Sequence, residues 1–145
     1  MSVKIVVGLD GSASGVRAID YAKGLAALVD GSELLLVYVI EWSPFTFQTA
    51  EENAERHKRR EEEISAAKER IVDPAVTSLA GSSLTVSGIV KHGDVAETLE
   101  RVAKEEGADQ IVVGRTSEAG VVSRIFGSST VNLVMNASVP VTVVS

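Results

Sequence analysis

Five short, nearly unbroken apolar runs punctuate this chain, and their spacing leaves few folds open to it. They are residues 3–9 (VKIVVGL), 33–40 (ELLLVYVI), 84–90 (LTVSGIV), 110–113 (QIVV) and the closing stretch from Val139 to Val144 (VPVTVV). Each is rich in β-branched residues and too short for a helix. Such runs predict strands buried on both faces, as in a parallel sheet covered by helices. The stretches between them carry a different period. Val16, Ile19, Ala22, Ala26 and Val29 recur at spacings of three and four, which predicts a helix with one buried stripe, closed by Asp30-Gly31-Ser32. Asp94 with Glu97 three residues on is a capping-box pattern, Val95, Leu99 and Val102 supply the stripe, and Gly107 ends that helix. In the last helix, Ser128 is the expected N-cap and Val131, Val134 and Met135 are expected to face inward. Strands alternating with helices mean βαβ units, a parallel sheet and right-handed crossovers.

Residues 51–63 (EENAERHKRREEE) carry almost no apolar side chain. Glu52 with Arg56, Glu55 with Arg59, Lys58 with Glu62 and Arg59 with Glu63 pair opposite charges four apart, each pair worth roughly 0.2–0.5 kcal/mol to a solvated helix. The apolar stripe resumes at Ile64, Ala67 and Ile71, so a long helix is expected to begin exposed and dock in its second half. Pro74 predicts a kink or a break. Trp42, Pro44, Phe45 and Phe47 predict an ordered loop, filling the gap under the long helix or lidding a crevice.

The length suits one domain over residues 1–145. The net charge of −6 argues against general affinity for nucleic acid or anionic membrane. The absence of cysteine excludes disulfides, thiolate metal sites and thiol catalysis. The two histidines, His57 and His92, make no metal site, and no carboxylate partner for His92 is evident. No run reaches about 18 apolar residues, and the N-terminus lacks the pattern of a signal peptide. The expectation is a soluble, cytoplasmic protein with no membrane span.

Two strand-to-helix turns concentrate the chemistry: Asp10-Gly11-Ser12, and the loop from Gly114 to Ser129. A loop between a strand end and a helix start is where backbone N–H groups meet an anion. If the first and fourth strands are neighbours, Asp10 and Gly114 face one crevice at the carboxyl ends of the strands. Asp10 then accepts hydrogen bonds from a base amino group or a ribose hydroxyl, while Gly114, Gly127 and Ser128 present N–H groups to phosphate. Arg115 and Arg124 flank the loop, and arginine suits phosphate. From spacing alone the plainer reading is slightly favoured: Asp10 caps a helix and the glycines only turn the chain.

The VVGLDGS opening, the order of elements and the closing loop together resemble the universal stress protein family. Its nucleotide-binding members carry Gly-x2-Gly-x9-Gly followed by Ser or Thr. This chain reads Gly114-x2-Ser117-x9-Gly127-Ser128: the spacing and the outer glycines are kept, and Ser117 replaces the middle glycine. The tail VPVTVV resembles the family's last strand. The resemblance implies an open five-stranded parallel α/β sheet of order 3-2-1-4-5 with helices on both faces, the adenine nucleotide alpha hydrolase-like fold. It also implies an ATP or AMP site, with or without Mg2+. Carried over, Asp10 contacts the adenosine and Val39 meets adenine through its backbone. Gly114, Gly127, Ser128 and Ser129 line the ribose and phosphates, and Ser117 sits where the family glycine contacts phosphate.

The last strand is expected at a sheet edge. A bare apolar edge invites pairing, and Pro140 limits it to one register or side, so a homodimer through Val139 to Val144 is expected, as the family commonly forms. Three functional classes compete. One is an adenine-nucleotide-binding stress module, with at most slow ATP hydrolysis or autophosphorylation. Another is a homodimeric regulatory protein of the same fold that binds no nucleotide and acts through protein contacts. The third, a phosphoryl-receiver domain, is rejected: the third strand ends in Lys91-His92-Gly93 and the last strand carries no Lys. Gly-x-Gly-x-x-Gly and Gly-x4-Gly-Lys-Ser/Thr motifs are both absent.

Overall fold

The apolar runs become strands β1 (Lys4–Leu9), β2 (Glu33–Glu41), β3 (Thr85–Gly93), β4 (Gln110–Gly114) and β5 (Val141–Val144). They form one parallel sheet of order β3-β2-β1-β4-β5, as expected. A computed structural model describes residues 3–9, 13–41, 50–81, 84–115 and 123–145; the side chains of 13, 14, 53 and 123–129 lie outside the description. The aromatic loop of Trp42, Phe45 and Phe47 falls outside the described residues as well. β3 runs past its apolar run because backbone pairing with β2 continues to Glu41↔Gly93.

Helices cover both faces. On one, α1 (Ala13–Ala26) buries Ala18, Ile19, Ala22 and Ala26 against Ile5, Val7, Leu36 and Val112. Two expected members of its stripe depart: Val16 is exposed, and Val29 lies beyond the helix end. The same face carries α2 (Ala50–Ala67), a π-helical turn (Lys68–Val72) and α3 (Asp73–Ser78). At Pro74 the helical path does not stop: α3 follows the π-helical turn directly, with Pro74 in its first turn. The Asp73 N–H reaches back five residues to the Lys68 carbonyl. That wider turn carries the chain past a proline that lacks a donor. It also sets Val72, fully buried, against Gly88 of β3. The first half of α2 is exposed, as expected, with His57 and Glu61 paired at 3.1 Å.

The other face carries α4 (Val95–Glu106) and α5 (Ser123–Asn136). The Asp94 side chain accepts from the Glu97 N–H at 3.0 Å, and Gly107 closes α4 at φ 64°. These are the Asp94 half of the predicted box and the predicted left-handed cap. Leu99, Val102 and Ala103 pack on Val6, Leu35, Val37 and Ile111. At the amino end of the sheet, Lys4 bridges Glu106 and Glu33 at 3.3 and 3.4 Å, and hydrogen bonds to those two carboxylates raise its pKa.

α5 departs from expectation twice. Its first residue is Ser123, so Ser128 is no N-cap and Gly127-Ser128-Ser129 lies inside the helix. Arg124, Ile125 and Phe126 hold no breaker, and a single Gly127 in a helix costs only about 1 kcal/mol. Among the described side chains of α5, Leu133 is the buried one, 2% exposed, while Val131, Val134 and Met135 are 63%, 52% and 76% exposed. The expected stripe exists, but it points away from the core.

Candidate functional site: a crevice at the centre of the sheet

β1 has β2 on one side and β4 on the other. The chain moves outward to β2 and β3, then crosses back to β4 and β5, so β1 and β4 flank the switch point where open α/β sheets hold ligands. Val7 pairs with Val112 and Leu9 is the last residue of β1, which brings the Leu9 and Gly114 ends side by side. β2 rises past β1: the last pair is Leu9↔Tyr38, whereas β2 continues with β3 to Glu41. The crevice is thus bounded by the ends of β1, β2 and β4.

A small apolar cavity lies there. Its strand wall is Gly8, Leu9, Val37, Val39 and Val113; its helix wall is Val95 and Leu99 of α4 with Thr130 and Leu133 of α5. A methyl group added to Gly8 would stand 3.0 Å from both Leu99 Cδ1 and Val113 Cγ1, so these two side chains already close on the strand where Gly8 has none. Gly8 was not singled out from sequence. The signal was present, since a glycine inside an apolar strand often marks a close approach. The cavity measures about 20 Å³, room for about one water. Thr130 brings the wall's one side-chain hydroxyl; the remaining side chains are apolar.

Of the expected site residues, Val39 is buried in the cavity wall and Gly114 is buried at the end of β4. Arg115 follows with an exposed side chain, while its N–H donates to the Val144 carbonyl at 2.7 Å. Asp10 and Ser117 lie outside the described residues. Gly127, Ser128 and Ser129 sit at the fifth to seventh positions of α5. Only the first four N–H groups of a helix lack internal partners, so these three backbone donors are turned to the helix itself.

His92 has the carboxylate neighbour that the sequence did not reveal. It sits near the end of β3 with Nε2 3.7 Å from Glu63 of α2, and that nitrogen is buried without a hydrogen bond. It faces α2, on the opposite side of the sheet from the cavity, so it is no part of the crevice.

An open, doubly wound α/β sheet with an apolar cavity at its switch point defines the class of molecule. The model of the Universal stress protein family matches residues 1–145, and the chain belongs to that family. It is 30% identical over 144 residues to Universal stress protein MJ0531 of Methanocaldococcus jannaschii, covering 97% of this chain and 81% of that one. The universal stress protein UspA of Lactobacillus plantarum shares the fold at a TM-score of 0.81 and 23% identity, over 99% of this chain and 97% of that one. A universal stress protein of Archaeoglobus fulgidus, solved in complex with dAMP, matches at a TM-score of 0.63 and 20% identity, over 99% and 98% of the two chains.

Proposed function

We propose that this universal stress protein binds an adenine nucleotide, ATP or AMP, in the crevice between β1 and β4, and serves as a homodimeric, cytoplasmic stress-response module. The apolar cavity at the switch point carries the reading: its strand wall of Gly8, Leu9, Val37, Val39 and Val113 suits a purine face. The dAMP held by the Archaeoglobus relative supports the choice of base. In this reading Asp10 takes the ribose or adenine hydrogen bonds, and Val39 meets the base edge through its backbone. Gly114, Arg115 and Ser117 lead the phosphates toward α5, and Mg2+, were it bound with ATP, would offset the phosphate charge. Gly127, Ser128 and Ser129 reach phosphate with their N–H groups once the first turn of α5 unwinds. Hydrolysis or autophosphorylation, if any, is slow, because Asp10 is the lone candidate base.

The nucleotide content of protein purified without added ligand tests this. A stoichiometric ATP or AMP peak on ion exchange after denaturation is expected, lost in Asp10→Ala. An empty protein that also gives no heat with ATP or AMP in calorimetry overturns it. That result leaves the family's fold acting through protein contacts alone.

The dimer is proposed through β5. The Ile111 and Arg115 N–H groups donate to the Pro140 and Val144 carbonyls, so even-numbered residues turn their backbone toward β4. Val141 and Val143, by alternation, turn theirs outward at the edge of the sheet. Pro140 spends its missing donor on the β4 side and leaves the outer edge intact.

A further inference from the structure

The helices on the face opposite the cavity rest on different strands. α1 packs on β1 and β4, whereas the π-turn packs on β2 and β3. A furrow is left between them. Its floor is Leu9 and Ile19, both buried, and its walls are Val16 of α1, Ile71 of the π-turn and Ala75 of α3. The space measures about 160 Å³. A cavity of about 150 Å³ takes a benzene ring. Among the described residues, the furrow meets the crevice only through Leu9. It also accounts for a departure noted above. Val16 belongs by spacing to the buried stripe of α1, yet it is 57% exposed, because it forms a wall of this furrow instead of meeting the sheet.

One charge stands at this apolar space. Arg70 is the charged side chain among the described residues of the lining. It belongs to the π-turn, whose wider path separates neighbouring residues by a smaller angle than an α-helix does. Arg70 and Ile71 therefore both border the furrow. Among the described residues the Arg70 guanidinium makes neither an ion pair nor a hydrogen bond. A guanidinium offers five N–H donors in a planar fork that matches a carboxylate. No second cation lines the furrow among the described residues, so one negative charge is matched and the second charge of a phosphate monoester is not. The remaining described lining is apolar and suits a hydrocarbon body.

We infer that this furrow is a second ligand site, for a small monocarboxylate with an apolar body of about ring size, an aromatic or short-chain aliphatic acid. The carboxylate pairs with Arg70, and the body lies on Leu9, Ile19 and Ile71. The site is separate from the nucleotide reading and does not depend on it. Methyl NMR of the full chain, titrated with benzoate and in parallel with neutral benzyl alcohol, tests it. Benzoate should move the Val16, Ile19 and Ile71 methyl resonances and bind at least about tenfold more tightly than the alcohol, as a charge-assisted bidentate pair requires. Arg70→Gln, at an exposed position, should remove that tenfold difference and leave the weak binding of the alcohol unchanged. Ala75→Leu, which narrows the furrow, should weaken both ligands. Benzoate that moves none of these methyls, or binds Arg70→Gln like the parent, overturns the site. Methyl shifts that follow protein dilution and ignore benzoate overturn it too, and assign the furrow to a second copy of the chain.

Discussion

The sheet has two outer strands, and the chain treats them differently. β3 lies under the π-turn and α3, with Val72 pressed on Gly88 and the His92 imidazole beside Glu63. Its other face shows Thr85, Ser87 and Lys91 to solvent. Polar side chains and a covering helix blunt an edge against pairing. β5 has helices packed against it but only Thr142 as a polar side chain. Its residues are Val, Thr, Val, Val, and the helix above it turns valines and a methionine outward. One edge ends the sheet; the other is left open to be continued.

Mutations on the two edges should therefore fail in different currencies. Gly88→Val is the most damaging: even its Cβ falls within 2.2 Å of Val72 Cγ1, and overpacking of this kind costs about 3 kcal/mol in urea unfolding. Near-parental stability in that variant would mean that the covered edge is loosely packed. Val143→Lys should raise the dimer dissociation constant more than tenfold in sedimentation while shifting the monomer's unfolding free energy by no more than about 0.5 kcal/mol. A monomeric parent, or a lysine variant that still dimerises, removes the contrast between the edges. Asp94→Ala, at the turn that leads from β3 into α4, should cost about 1 kcal/mol through the lost cap, with the dimer intact. Glu63→Gln is the mildest: Glu63 is half exposed, and chemical denaturation should register less than about 0.5 kcal/mol.

Much of this architecture is legible in residue order. The five strands coincide with the five apolar runs because a strand buried on both faces needs an unbroken apolar stretch, which is a local property. The ends of α4 are legible for the same reason: Asp94, Glu97 and Gly107 act through bonds to their own helix. The π-turn was not legible, since Pro74 announces a disturbance without saying which hydrogen bond absorbs it. The start of α5 was misread at Gly127-Ser128-Ser129, where cap-forming residues lie inside a helix that begins one turn earlier. Of the expected crevice residues, Val39 and Gly114 stand beside the switch point, while Gly8 needed Leu99 and Val113 around it before its missing side chain meant anything.

The most instructive case is the row Val131, Val134, Met135. Its spacing is that of a helical stripe, and the stripe is real. By itself the sequence determined that α5 has an apolar face and that five strands lie parallel. Only the tertiary structure decided that Leu133 meets the core while the apolar row looks out beside β5, and that the cavity closes under α5. Periodicity belongs to one element and is written along it. Burial belongs to two surfaces, and the second surface comes from residues far away in the chain.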